Sequence, residues 1–211
     1  FVTLAVASGL WAMRPLKVTN WTQRRVLGWF FAGLAMAAAF MVKGFVAAPL
    51  VLVPLVAAII ITPRRRLGNF IGLLFALLLG LLLAVPWFVY IVHQAEALGF
   101  ASADAAFADV FREYVLAKPV DHGQAEAQPL WYYVGLLALV FPWTVWLIGA
   151  LFQPWVRAKG ERRRHLLIAW LWFLGLLIVL SIPGAKQQRY LLPILPAVGL
   201  LVGQLWSWHI D

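Results

Sequence analysis

Long apolar runs without a charged residue are the feature that most restricts how this chain can fold. Crossing about 30 Å of hydrocarbon takes about 20 helical residues, and runs near that length recur along the sequence. They lie at residues 26–42, 45–62, 70–92, 131–152, 166–182 and 191–208, with a partial run at 1–13. Backbone polar groups inside lipid need partners within the protein, so each run should be a helix. The sequence therefore predicts an all-α polytopic membrane protein with about six full spans and one partial span.

The stretch from Val26 to Thr62 is too long for one transmembrane helix. Its one charged residue, Lys43, stands near the middle and is followed by Gly44. A charge and a flexible residue at this place fit a tight hairpin between two helices. Two spans are therefore predicted here.

The positive charges predict an orientation. Twelve of the 17 Lys and Arg residues stand in three clusters in alternate connections: Arg14, Lys17, Arg24, Arg25, Arg64, Arg65, Arg66, Arg157, Lys159, Arg162, Arg163 and Arg164. Loops rich in Lys and Arg are cytoplasmic, so the connections at 43–44, 93–130 and 183–190 should face the periplasmic or extracellular side. Because membrane topology explains the net charge of +9, we expect membrane lipids as partners and no nucleic acid.

Residues 93–130 are predicted to form an external loop within a single transmembrane domain that covers 1–211. The loop carries six of the eight acidic residues. Apolar residues from Phe107 to Val115 recur at helical spacing, which predicts a short amphipathic helix on the membrane surface. Trp87, Tyr90 and the segment Trp131–Tyr133 fit the aromatic belt at the headgroups. The sequence starts without Met or a signal peptide, so we expect it to be a fragment of a longer chain.

Cations on the predicted external side are the candidates for chemistry. Lys43 either reaches the headgroups from a simple hairpin turn or faces a lipid-borne phosphate. Lys186, Arg189 and Tyr190 form either a basic turn against anionic lipid or an anion clamp, because Arg binds phosphate with a planar fork and Tyr donates a further hydrogen bond. Lys and Arg are disfavoured on this side, and a phosphate would explain them.

Asp121 and His122 are a second candidate pair. They fit an acid–base pair, part of a metal site, or ordinary polar surface. The absence of cysteine excludes thiolate ligands, and the cofactor is otherwise open, with a divalent metal as the one candidate. P-loop, GxGxxG, HExxH and GxSxG motifs are absent from the sequence.

The order of four segments resembles a known family. "AAFMVKGFVAAPLVLVP", "LLLGLLLAVPWFVYIV", "HGQAEAQPLWYYVGLLALVFPWTVWL" and "LSIPGAKQQRYLLPILPAVGLL" follow one another as in the C-terminal part of the membrane domain of the ArnT-like and protein-mannosyltransferase-like glycosyltransferases, which have the GT-C fold. The resemblance covers nearly the whole sequence. It departs at Gln187, where the family often has a second basic residue, and in the variable loop at 93–130.

The resemblance implies an enzyme of the bacterial inner membrane that moves a sugar, on the periplasmic side, from a polyprenyl-phosphate donor to a lipid, glycan or protein acceptor. Lys43, Lys186, Arg189 and Tyr190 would bind the donor phosphate, and His122 would approach the substrate or a metal. The catalytic carboxylate of this family lies in an earlier external loop, so no catalytic residue is expected within this sequence.

Two other classes fit part of the pattern. A transporter or flippase for a polyprenyl-linked or other amphipathic substrate would use the same cations along its path, but its charges usually lie near the membrane midplane. A scaffold subunit would have no use for Lys43 and Arg189 at one membrane face. The glycosyltransferase remains the first hypothesis.

Overall fold

A computed structural model describes residues 1–14, 21–44, 47–62, 66–94, 129, 132–133, 141–156, 158–181 and 188–210. Within these ranges the chain forms α-helices and one long 3-10 helix, and no strand. The helices are α1 (Val2–Met13), α2 (Trp21–Lys43), α3 (Ala47–Ile61), α4 (Arg66–His93), α5 (Trp143–Val156), α6 (Gly160–Ser181) and α7 (Leu195–Ile210), and the 3-10 helix is Gln188–Ile194.

Among the described helices, three are long and apolar enough to cross a membrane: Gln23–Val42 within α2, Arg66–Tyr90 within α4, and Gly160–Ser181, which is α6. Val2–Met13, Ala47–Ile61 and Leu191–Ser207 are shorter apolar helices. For example, α3 has 15 residues and rises only about 22 Å, less than the ~30 Å hydrocarbon layer. Each of the seven predicted spans contains described helix.

One face of α4 shows how the bundle meets lipid. Its exposed apolar residues recur every three or four positions: Leu67, Ile71, Leu74, Leu78, Leu82, Val85 and Val89. Such a stripe along a helix that is also apolar on its packed side requires an apolar solvent. The predicted fold class is therefore confirmed, and the chain is an all-α polytopic membrane protein.

Small residues bring α1, α2 and α4 close together. α2 packs against both α1 and α4. A Cβ atom added to Gly28 of α2 would lie 2.6 Å from the Cβ of Ala12 in α1. On the other side, Gly72 of α4 lies directly against the ring of Trp29, which is 2% exposed. Since lipid gives no hydrophobic drive to helix association, this close van der Waals packing stabilises the bundle.

The central helix is α3, which contacts α1, α2, α4 and α6. Leu50, Val51, Leu55 and Ile59 of α3 are buried in the hydrophobic core. On its far side α6 packs against α5, α7 and the 3-10 helix. α3 therefore joins a group made of α1, α2 and α4 to a group made of α5, α6 and α7.

Helix boundaries differ from the predicted spans in two places. The single span predicted at 131–152 is wrong, because residues 141 and 142 form a turn and α5 begins at Trp143. The other differences lie at basic segments. α2, α4 and α6 begin four to six residues earlier than the apolar runs. These added residues include Arg24, Arg66 and Arg162, which are good helix formers with long stems that cover apolar surface. Conversely, the last span starts as a 3-10 helix that contains Pro193.

The contact between α2 and α4 gives a stability prediction. A Cβ atom at Gly72 would overlap the buried Trp29 ring, whereas a Cβ at Gly203 of α7 meets nothing within 4 Å. Gly72→Ala should lower the free energy of unfolding by about 1–3 kcal/mol, and Gly203→Ala should leave it unchanged or raise it. Unfolding of the purified full-length protein in mixed SDS micelles measures both changes; equal stabilities would contradict this packing.

Candidate functional site

The predicted hairpin at Lys43 and Gly44 is confirmed. α2 ends at Lys43, α3 begins at Ala47, and Gly44 between them has a φ of +62°. L-residues with a side chain rarely adopt this left-handed conformation, so glycine permits the chain to turn between two packed helices. We call this end of the bundle the Lys-Gly end.

The 3-10 helix at Gln188–Ile194 also lies at the Lys-Gly end. It follows α6 and packs against α6 and α7. α6 starts at the same end of the bundle as α2, because Arg164 near its start lines one cavity with Arg14, which precedes α2. Ile194 is anchored in the hydrophobic core. Arg189 and Tyr190 belong to this helix. The backbone therefore places the predicted segments around Lys43 and Arg189 at one end of the bundle.

Several predicted site residues lie outside the described part of the chain. These are Lys186, Asp121 and His122, together with most of the external loop at 93–130 and its amphipathic helix. The side chains of Lys43, Arg189 and Tyr190 also lie outside it. The donor-phosphate site therefore stays a prediction. Within the described ranges, no group of three or more His, Asp or Glu side chains could hold a metal ion.

The aromatic residues at the Lys-Gly end divide between lipid and core. Trp87 and Tyr90 of α4 are exposed, and their rings stack with centroids 6.2 Å apart, as expected of a headgroup belt. Tyr133 was assigned to the same belt, and this prediction is wrong. Its side chain is fully buried in the core. The ring of Tyr132 packs edge-on against it, with 5.5 Å between the ring centroids. Composition alone cannot distinguish a belt tyrosine from a core tyrosine.

Sequence reasoning missed a cavity with a mixed polar and apolar lining at the opposite end, which we call the basic end. The cavity has a volume of about 810 Å³, and its lining residues come from α1, α3, α4, α6 and α7 and the residues that directly follow α1 and α3. Arg14, Asn69, Glu161, Arg164 and His165 supply charged and polar groups. No local motif signals this site, because its lining residues extend from Leu10 to Gln204 in the sequence.

The basic end also tests the predicted topology. Arg14 and Arg164, from the first and third basic clusters, line the same cavity. From the start of α2, Arg24 lies over Trp11 of α1, with 4.6 Å between the guanidinium carbon and the ring centroid. The basic connections thus lie at one end of the bundle, as alternate connections require.

The hairpin at Gly44 gives a second stability prediction. Gly44→Ala forces a Cβ atom into the left-handed conformation and should cost about 1–2 kcal/mol. Gly44→Asn should cost less, because asparagine tolerates this conformation. Gly199→Ala in α7 is the matched control, since its Cβ atom meets nothing within 4 Å. If the Gly44→Ala protein unfolds at the same SDS fraction as the control, the positive φ of residue 44 is not required for the hairpin.

Comparison with known proteins identifies relatives over nearly the whole chain. An undecaprenyl phosphate-alpha-4-amino-4-deoxy-L-arabinose arabinosyl transferase of Pectobacterium carotovorum is 30% identical over 202 residues, which cover 95% of this chain and 34% of that protein. Transferases of the same name from Serratia proteamaculans and Pseudomonas fluorescens strain Pf0-1 are 32% and 33% identical, each over 89% of this chain and 32% and 31% of their own lengths.

The chain thus spans about a third of the length of the curated relatives it matches. No protein-family model matches it, and no solved structure does. The relatives agree with the family that the four ordered segments indicated. Over nearly its whole length the chain is thus similar to these arabinosyl transferases, in agreement with the predicted resemblance to the ArnT-like family.

Proposed function

We propose that the protein containing this chain transfers a sugar from a polyprenyl-phosphate donor to a lipid, glycan or protein hydroxyl. The observation that carries the proposal is the 30% identity over 95% of the chain to a transferase named for undecaprenyl phosphate-linked aminoarabinose. The name of that relative makes a pentose on undecaprenyl phosphate the first donor to test. The positive-inside rule supports an inner-membrane enzyme whose Lys-Gly end faces the periplasm.

The proposed role of this chain is to bind the donor phosphate. In sugar transfer the bond between the anomeric carbon and the phosphate oxygen breaks, and the acceptor oxygen bonds to that carbon as it loses its proton. Negative charge grows on the departing polyprenyl phosphate. Fixed cations near that phosphate stabilise the transition state more than the ground state. Lys43, Lys186 and Arg189 are the proposed cations, and Tyr190 is the proposed hydroxyl donor.

The topology supports this assignment. The segment that ends with Lys43 and the 3-10 helix that contains Arg189 lie at one end of the bundle. Asp121 and His122 belong to the connection between α4, which ends at His93, and α5, which begins at Trp143. In the proposed topology this connection lies on the same side of the membrane as the Lys-Gly end. We propose that Asp121 and His122 contact the substrate or a divalent metal.

Loss of a proposed phosphate contact should slow sugar transfer. In the full-length protein, Lys43→Ala, Lys186→Ala and Arg189→Ala should each reduce kcat about 10²-fold, the typical effect of removing one oxyanion donor. Lys159→Ala and Arg163→Ala are matched controls, because both cations are exposed at the basic end. The measurement follows radiolabelled pentose from undecaprenyl phosphate to lipid acceptors in proteoliposomes.

Two outcomes would contradict this proposal. Transfer at the normal rate in all three variants would remove the phosphate-binding role. Movement of the intact labelled lipid across the bilayer, with no release of pentose from it, would identify a flippase instead.

A separate experiment tests the loop pair. If a divalent metal binds at Asp121 and His122, then EDTA and His122→Ala should each reduce transfer at least ~10-fold, and EDTA should not slow the His122→Ala protein further. His93→Ala is the control, since His93 is an exposed histidine at the end of α4. Full EDTA sensitivity in the His122→Ala protein would place the metal elsewhere.

A further inference from the structure

The cavity at the basic end has an amphipathic wall. Its mouth carries the exposed side chains of Arg14, Glu161, Arg164 and His165. Its inner wall is apolar and includes Leu166 and Ala169 of α6 and Ala58 of α3, each at most 2% exposed. From Glu161 to Trp172 the lining follows α6 for about 16 Å. A volume of about 810 Å³ lies within the ~300–1,000 Å³ range of ligand pockets.

Several cations near the cavity already have partners in the protein. The Arg162 guanidinium donates hydrogen bonds to the side-chain Oε1 of Gln204 at 3.1 Å and to its backbone oxygen at 3.2 Å. Arg66 donates to the backbone oxygen of Ile60 at 2.8 Å. These hydrogen bonds use part of the donor capacity of both arginines within the protein.

Arg14 and Arg164 differ from those arginines. Both line the cavity, and neither side chain makes a hydrogen bond or an ion pair with any described residue. Glu161 also lines the cavity and pairs with no described cation. Two guanidinium groups against one carboxylate leave the mouth positive. Asn69 adds a buried polar side chain, 4% exposed, to the wall.

We propose that this cavity binds a membrane lipid by its anionic phosphate head group. Arg14 and Arg164 bind the phosphate, because guanidinium groups match phosphate oxygens in a planar fork. The apolar wall of α6 and α3 contacts the lipid's hydrocarbon. A polar mouth above an apolar wall selects an amphipathic ligand over a soluble anion. Anionic lipids of the cytoplasmic leaflet are attracted to basic segments, and the positive-inside rule places the basic end there.

Native mass spectrometry of the full-length protein tests this proposal. The protein is purified from nanodiscs that contain phosphatidylcholine alone or with phosphatidylglycerol, and retained lipids are counted. We expect retention of phosphatidylglycerol by the wild type and at least ~10-fold weaker binding in the Arg14→Gln/Arg164→Gln variant, since each charged hydrogen bond contributes strongly. Arg163→Gln is the matched control, because Arg163 is exposed and lies outside the cavity lining; it should bind as the wild type does.

A variant with tighter binding distinguishes the loss of a contact from misfolding, because a misfolded protein would not bind more tightly. Glu161→Gln removes the one carboxylate among the described residues that line the cavity, and it should tighten phosphatidylglycerol binding about 2- to 5-fold, the scale of an exposed charge pair. Equal retention of phosphatidylcholine and phosphatidylglycerol by the wild type would overturn the proposal. Wild-type retention in the double variant would overturn it as well.

A competition arm separates a lipid from free phosphate. Inorganic phosphate is added to the protein loaded with phosphatidylglycerol. Retention of the lipid supports the proposal, because hydrocarbon contacts add to the head-group contacts. If inorganic phosphate displaces phosphatidylglycerol at a concentration equal to that of the lipid, the protein binds the anion alone. That result would overturn the lipid assignment. None of these measurements depends on sugar transfer, so the outcome is independent of the proposed enzymatic function.

Discussion

The structure depends on one constraint, that backbone polar groups inside hydrocarbon must find their partners within the protein. Helices satisfy it without help from neighbours, so each of the predicted apolar runs contains described helix. Charged side chains are costly in the same hydrocarbon layer and therefore stand at the helix ends. α2 and α6, each with arginines near its start, run from the basic end to the Lys-Gly end.

Close packing then decides the arrangement of the helices. Hydrocarbon solvates leucine as well as the protein interior does, so the area of apolar contact alone does not bring helices together. Gly28 against Ala12, and Gly72 against Trp29, allow α2 to approach α1 and α4 more closely than larger residues could. The apolar core of α3 then fills the space between the two helix groups.

The sequence predicted the elements better than their contacts. Run length and the Lys43–Gly44 pair were sufficient for the fold class and the hairpin, because lipid solvation is a local requirement. The early start of α2, α4 and α6 was missed because arginines are compatible with helix beyond the apolar layer. Tertiary packing, which no local pattern contains, decides the burial of Tyr133. It also decides that Arg14, Asn69 and Arg164 line one cavity. The candidate donor site was predicted from motif order, and its residues at 121, 122 and 186 lie outside the described ranges.

The two ends of the bundle should act independently. From Arg164 to Ser181, the last residue of α6, the helix rises about 26 Å, which is about three Debye lengths at physiological ionic strength. Charges at Arg164 and at Arg189 therefore have little direct influence on each other through the aqueous phase. A lipid phosphate at the basic end can affect the proposed donor site only by shifting α6, which packs against both α3 and the 3-10 helix. Because α6 is held on both sides by packed helices, a small displacement at its start would be resisted by the close-packed core. The proposed lipid at the basic end is thus expected to stabilise the fold without altering the proposed donor site at the Lys-Gly end.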